Sequence, residues 1–305
     1  MADLMPRETA EKVLEGLGVR TLDMGRMTTH EPPARDYVFG AWALTAGTYG
    51  LLYAPGDTGK SYLMLTLLLT LALAGADCEV YDPLHLRPRI QKGGWPVTYL
   101  TGEDSDDAVW HRVWTLTRSM GEAAYPAAQR NMRVLSTQGL ARRPLITDPA
   151  FRRAVAGIAS GNRAVGLDTL SRFHDADENS NSEMSSVVAS IEAVACDTGS
   201  PVMVAHHCSK ASQSEGVARS GLAIRGASCI RESARWALGM AKVADDTCVL
   251  VEDKHNDGKG HKPIYIEWTS AGTLQRCEEP VDDARVASIA PRRRAKAGGG
   301  HGFYD

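Results

Sequence analysis

Ala54-Pro55-Gly56-Asp57-Thr58-Gly59-Lys60-Ser61 sets small residues, a lysine and a hydroxyl at the spacing of a phosphate-binding loop. Glycines let main-chain N–H groups close around a phosphate chain. Lys60 would reach the β- and γ-phosphates, and the Ser61 hydroxyl would ligate Mg2+. The usual first glycine of the G-x-x-x-x-G-K-[ST] pattern is replaced by Ala54. A nucleoside triphosphatase also needs acids at the carboxyl ends of neighbouring strands. Asp168 suits the acid that holds Mg2+ through its water shell, and Glu103 suits the group that orients or deprotonates water. Asp104, Asp106 and Asp107 crowd behind Glu103 and read instead as an acidic first helical turn. His206 and His207 follow an apolar run, where one polar side chain would face the γ-phosphate. Adjacent strand residues point to opposite faces, so the two do not form a metal pair. Transition-state charge asks for a cation from a neighbouring subunit. Arg225 is the first choice, with Arg231, Arg235 and Lys254 as competitors.

These residues need strands and helices to position them. Tyr49 to Tyr53 reads as a buried strand, and Tyr62 to Ala74 as a helix aiming its positive end at the loop. Further strands are predicted at 95–100, 133–135, 164–168, 201–205, 236–242 and 247–254, with a last one at 263–268. Helices are predicted at 8–17, 106–120, 149–159 and 184–198, the second with Val109, Trp110, Val113 and Leu116 on one face. Alternation of this kind specifies an α/β fold with a mostly parallel central sheet covered by helices on both faces. Residues 1–36 read as an arm, its second half a linker, 37–278 as the ATPase core, and 279–305 as a flexible basic tail.

The 305 residues are 43% hydrophobic and 23% charged, enough for one large domain with appendages. A net charge of −3 gives no global basic field, so any nucleic-acid contact must be local or arise in an assembled channel. The six cysteines form no C-x-x-C pair, which argues against a zinc site or disulfide framework. No basic-then-apolar leader is evident, and the longest apolar run falls short of the about 20 residues a membrane span needs. A cytoplasmic protein without a membrane partner is expected.

The order of these motifs resembles the RecA-like ATPases, and most closely the plasmid RepA-type hexameric replicative helicases. The resemblance rests on Leu52 to Ser61, Val97 to Asp104, Leu167-Asp168-Thr169-Leu170-Ser171-Arg172-Phe173-His174, Ala205 to Lys210, and Ser220 to Trp236. It implies a RecA-like core in a homo-oligomeric ring, with ATP and Mg2+ between subunits and single-stranded DNA in the channel. On that likeness Glu103 is the catalytic acid, His207 the γ-phosphate sensor and Arg225 the arginine finger, with Lys254 assisting. Primase or initiator functions would lie in partner proteins. The loops 171–186 and 208–224, which would line the channel, carry few cations. Two rivals remain at this point: a RecA-like mediator or switch that does not unwind, and a small-metabolite kinase.

Overall fold

The computed structural model describes residues 5–78, 81–207 and 227–280. Loop 208–224, Arg225 and the basic tail beyond 280 lie outside the described residues. The chain divides into two compact units between Arg35 and Asp36.

In the first unit, α1 (Arg7–Gly16) carries the ion pairs Arg7–Glu11 at 2.8 Å and Lys12–Glu8 at 3.0 Å. The stretch expected as linker contains a short helix, α2 (Met24–Thr29), because the Asp23 carboxylate accepts the Arg26 N–H and caps it. Neither helix has a buried residue.

The second unit is built on nine strands: β1 (Tyr49–Ala54), β2 (Val97–Thr101), β3 (Met132–Ser136), β4 (Ala164–Asp168), β5 (Val202–His207), β6 (Trp236–Lys242), β7 (Thr247–His255), β8 (Ile264–Trp268) and β9 (Leu274–Cys277). They form one sheet in the order β3-β2-β4-β5-β1-β6-β7-β8-β9. The β3-to-β6 part is parallel, and β6 to β9 continue as an antiparallel meander. Both predicted histidines belong to β5 rather than to a loop after it. The sheet also runs one strand further than expected. Leu274–Cys277 lacks alternation, yet pairs along β8 from Tyr265↔Cys277 to Trp268↔Leu274.

Helix α3 (Lys60–Leu73) lies against one face, and twelve of its fourteen residues are buried. Leucine suits it on every side because the sheet lies beneath it and α4 (Asp106–Ser119) and α5 (Tyr125–Asn131) flank it. Gly166, which dilutes the apolar run of β4, has its reason here. A Cβ at that position would meet Met64 Sδ at 2.9 Å and Leu68 Cδ1 at 3.1 Å, so the glycine lets α3 close onto the strand. In α4 only Val109 and Leu116 are buried, while Trp110 is 69% exposed. The buried stripe is therefore narrower than the periodicity suggests. On the opposite face, α6 (Pro149–Ala159), α7 (Asn181–Thr198) and α8 (Cys229–Ser233) cover the second hydrophobic layer. No helix of the described residues is long and apolar enough to cross a membrane.

One buried carboxylate ties the meander to the entry of the core. Glu252 on β7 accepts the Ala43 N–H at 2.6 Å, the Trp236 Nε1–H at 2.8 Å and the His261 N–H at 3.0 Å. Glu252→Ala leaves these donors unpaired in the interior, each costing about 1–3 kcal/mol. A loss of about 3 kcal/mol or more in urea unfolding is expected, with Glu252→Gln milder because it keeps one acceptor.

Candidate active site

The phosphate-loop residues leave β1 at Ala54 and enter α3 at Lys60, as strand–loop–helix. The loop is shaped by backbone that few residues tolerate: Asp57 has φ 58° and Gly59 φ 96°. Thr58 Oγ1 donates to Pro55 O at 2.9 Å and braces the turn, while Gly56 and Asp57 stay exposed. Gly59 has a second constraint. A Cβ there would stand 2.6 Å from Trp268 Cζ2, for the indole at the end of β8 lies against the loop and packs edge-on to Tyr62 at 4.9 Å. Gly59→Ala combines unfavourable φ with this clash. It is expected to lower stability by about 1–3 kcal/mol in thermal melting and to weaken nucleotide binding. Trp268→Leu should relieve the steric part of that penalty.

Strand order brings the predicted acids to the same edge. Asp168 ends β4 in register with Thr101 at the end of β2, and the Gly102 N–H donates to Asp168 O at 2.9 Å. Asp168 is fully buried. Tyr99 donates its phenol to Asp168 Oδ2 at 2.7 Å, whereas Oδ1 has no hydrogen-bond partner among the described residues. Burial pushes the Asp168 carboxyl up, opposed by the Ser61 and Tyr99 hydroxyls and the Lys60 charge. Buried acceptor capacity beside Ser61 and Lys60 fits a hydrated Mg2+ shared with substrate phosphates. Among the described residues no group of three His, Cys, Asp or Glu side chains could hold a metal by itself.

Glu103 follows β2. Gly102 lets this segment pass close to the turn at 170–172, since a Cβ would meet Thr137 Oγ1 at 2.6 Å and Arg172 Cβ at 2.9 Å. Glu103 Oε1 lies 3.4 Å from His207 Nε2. The imidazole foremost, then the charges of Lys60 and Arg172, hold the Glu103 carboxyl below its ordinary value against the effect of burial. Its neighbours are otherwise engaged. Asp104 is clasped by Arg112, with the Nη2–Oδ1 contact at 2.8 Å. Asp106 and Asp107 open α4 behind the Ser105 cap.

The histidines separate as strand alternation requires: His206 is 1% exposed, and His207 opens toward Glu103. His207 pairs in register with Ala54, at the mouth of the phosphate loop, and His206 with Tyr53. Lys254 Nζ donates to Arg231 O at 3.0 Å and to Glu232 O, fastening β7 to the end of α8. Arg231 reaches Asp253 Oδ2 at 3.2 Å. Arg235 is exposed.

Trp268 and Arg143 lie at the site without having been singled out from the sequence, and Tyr99 and Arg172 had entered only as parts of the motifs that carry the resemblance. A cavity of about 300 Å3 adjoins Glu103, lined among others by Arg143, Ser171, Arg172, His174 and Glu178. Arg143 Nη1 donates to His174 O at 2.8 Å and Ser171 O at 3.1 Å, so a distant segment adds a cation beside an acidic loop. Burial holds His174 below the ordinary histidine range.

With this geometry in place, a family model described as an AAA domain matches residues 15–213. The chain belongs to this family. Among solved structures, the ATPase domain of G40P aligns with TM-score 0.53 and 12% identity over 76% of this chain and 85% of its own. The RadB recombinase aligns with TM-score 0.49 and 17% identity over 76% of this chain and 92% of its own. The G40P likeness is one of fold, a mixed α/β fold with a mostly parallel central sheet flanked by helices.

Proposed function

We propose that this AAA-domain protein hydrolyses ATP with Mg2+ and acts on DNA as a ring-shaped helicase or translocase. The observation that carries the hydrolytic part is the meeting of Lys60, Asp168, Glu103 and His207 at one sheet edge. Backbone N–H groups of 56–61 and Lys60 would bind the phosphates, with Ala54 and Pro55 forming the loop's entry. Ser61 and Asp168 would hold Mg2+, which neutralises phosphate charge. Glu103 would take the proton of the attacking water. His207 would sense the γ-phosphate, with His206 supporting the strand behind it.

Arg225 from a neighbouring subunit would supply the remaining cation, as a head-to-tail homo-oligomer, hexameric on the resemblance, allows. Lys254 would reach the same interface only by giving up its bonds to α8. The DNA reading rests on the resemblance of the motifs, for the cavity beside Glu103 sets Arg143 and Arg172 against Asp175 and Glu178 and offers no basic surface of its own. The fold of G40P's ATPase domain is compatible with it. The alternative, a mediator or switch without unwinding, is favoured by the poor cation content of 171–186.

Steady-state hydrolysis with and without single-stranded DNA, followed by unwinding of a forked duplex, separates the two. Strong stimulation with strand separation supports the motor. Hydrolysis indifferent to DNA at low salt supports the switch.

A further inference from the structure

Glu103 and His207 leave strands that are not neighbours. In the order β2-β4-β5, the strand ending in Asp168 stands between them. The backbones are therefore roughly 10 Å apart, two strand spacings. The side chains lean toward one another across the end of β4 to bring Oε1 and Nε2 to 3.4 Å. Neither is buried: the side chains are 36% and 30% exposed, so packing does not force them together. Nε2 is the distal ring nitrogen, the one that reaches outward from a strand whose last residue pairs with Ala54. A γ-phosphate anchored on Lys60 would need that same nitrogen.

We infer that the Glu103–His207 contact is a latch released by substrate, in which carboxylate and γ-phosphate compete for one imidazole. The inference rests on the nucleotide-hydrolysis reading above and adds a regulation to it. While His207 is held by Glu103, the carboxylate stays ionised but its Oε1 is turned to the imidazole rather than to an attacking water. A triphosphate that captures the imidazole frees the carboxylate at the moment the scissile phosphate is in place. A diphosphate has no group at that position and leaves the latch closed. The pair thus works as a triphosphate-specific trigger that guards against idle water activation.

The test is a set of equilibrium titrations by calorimetry, using the full chain with Mg2+ and either AMP-PNP or ADP. The readout is the ratio of the two affinities in wild type, Glu103→Gln, His207→Ala and the double variant. Removing the competitor should tighten AMP-PNP about fivefold in Glu103→Gln, the upper end of what a half-exposed ion pair is worth. ADP affinity should hardly move. On the His207→Ala background the same Glu103 change should leave the ratio unaltered. Equal tightening of both nucleotides would mean a simple charge effect and would overturn the latch. Tightening of AMP-PNP that persists without His207 would overturn it too. Absence of nucleotide binding by the wild type would sink the hydrolysis reading itself, and the latch with it.

Discussion

Glu103→Gln is expected to cut single-turnover hydrolysis by about 10²- to 10⁴-fold, the usual contribution of a positioned general base. Binding should survive, because Glu103 is not among the groups that hold phosphate. The carboxylate qualifies on three grounds. It is held ionised by His207, Lys60 and Arg172, it stands at the strand edge that carries Asp168, and it is partly open to water. Asp104, one residue on, is occupied by Arg112. Asp104→Asn should therefore perturb the start of α4 more than it perturbs turnover. Comparing phosphate release in a single turnover with nucleotide affinity for both variants checks this. A Glu103→Gln protein that hydrolyses at the wild-type rate would remove Glu103 from the chemistry.

Lys60→Ala should abolish turnover by a different route, through loss of binding. Lys60 is 6% exposed, held at the first position of a helix whose body is almost wholly buried. It cannot be replaced by a neighbouring cation without moving that helix. A charge-assisted hydrogen bond to phosphate is worth about 1.5–3 kcal/mol, or roughly ten- to a hundredfold in affinity. The measurement is again a titration with AMP-PNP, with thermal melting as a control for folding. Loss of affinity together with an unchanged melt is the expected result. Burial of the aliphatic stem introduces a smaller structural cost, which Lys60→Met would lessen while still removing the charge.

The parts of this site that can be read from sequence are those whose information is local. A strand, a five-residue loop (55–59) and a helix follow one another without interruption, so the strand–loop–helix arrangement was legible from spacing. The same is true of Asp168 and Glu103, because an acid that ends a short apolar run marks a strand end. What joins those pieces was not legible. Trp268 reaches the loop from the far end of the chain through the antiparallel meander, and nothing near it announces a phosphate site. Tyr99 looked like an ordinary core aromatic, and only the β2–β4 register puts its hydroxyl on Asp168. Arg143 sits in a loop with no periodicity and becomes relevant because it binds carbonyls of the 171–174 segment. Glu252, which follows Val249, Leu250 and Val251 in β7 and precedes Asp253 and Lys254, gave no sign of being the anchor of the Ala43 and His261 loops. Helix α2 did have a local signal, the Asp23 cap, but Gly25 and two threonines masked it.

Phosphate release from ATP, measured with Mg2+ and with the metal chelated, tests the central claim most directly. It should be run at a protein concentration where light scattering shows an assembled oligomer, so that any cation from a neighbour is present. The account predicts steady release that requires Mg2+ and disappears in Lys60→Ala and Glu103→Gln alike. No release above background from the assembled wild-type protein, or release unchanged in Glu103→Gln, would contradict it.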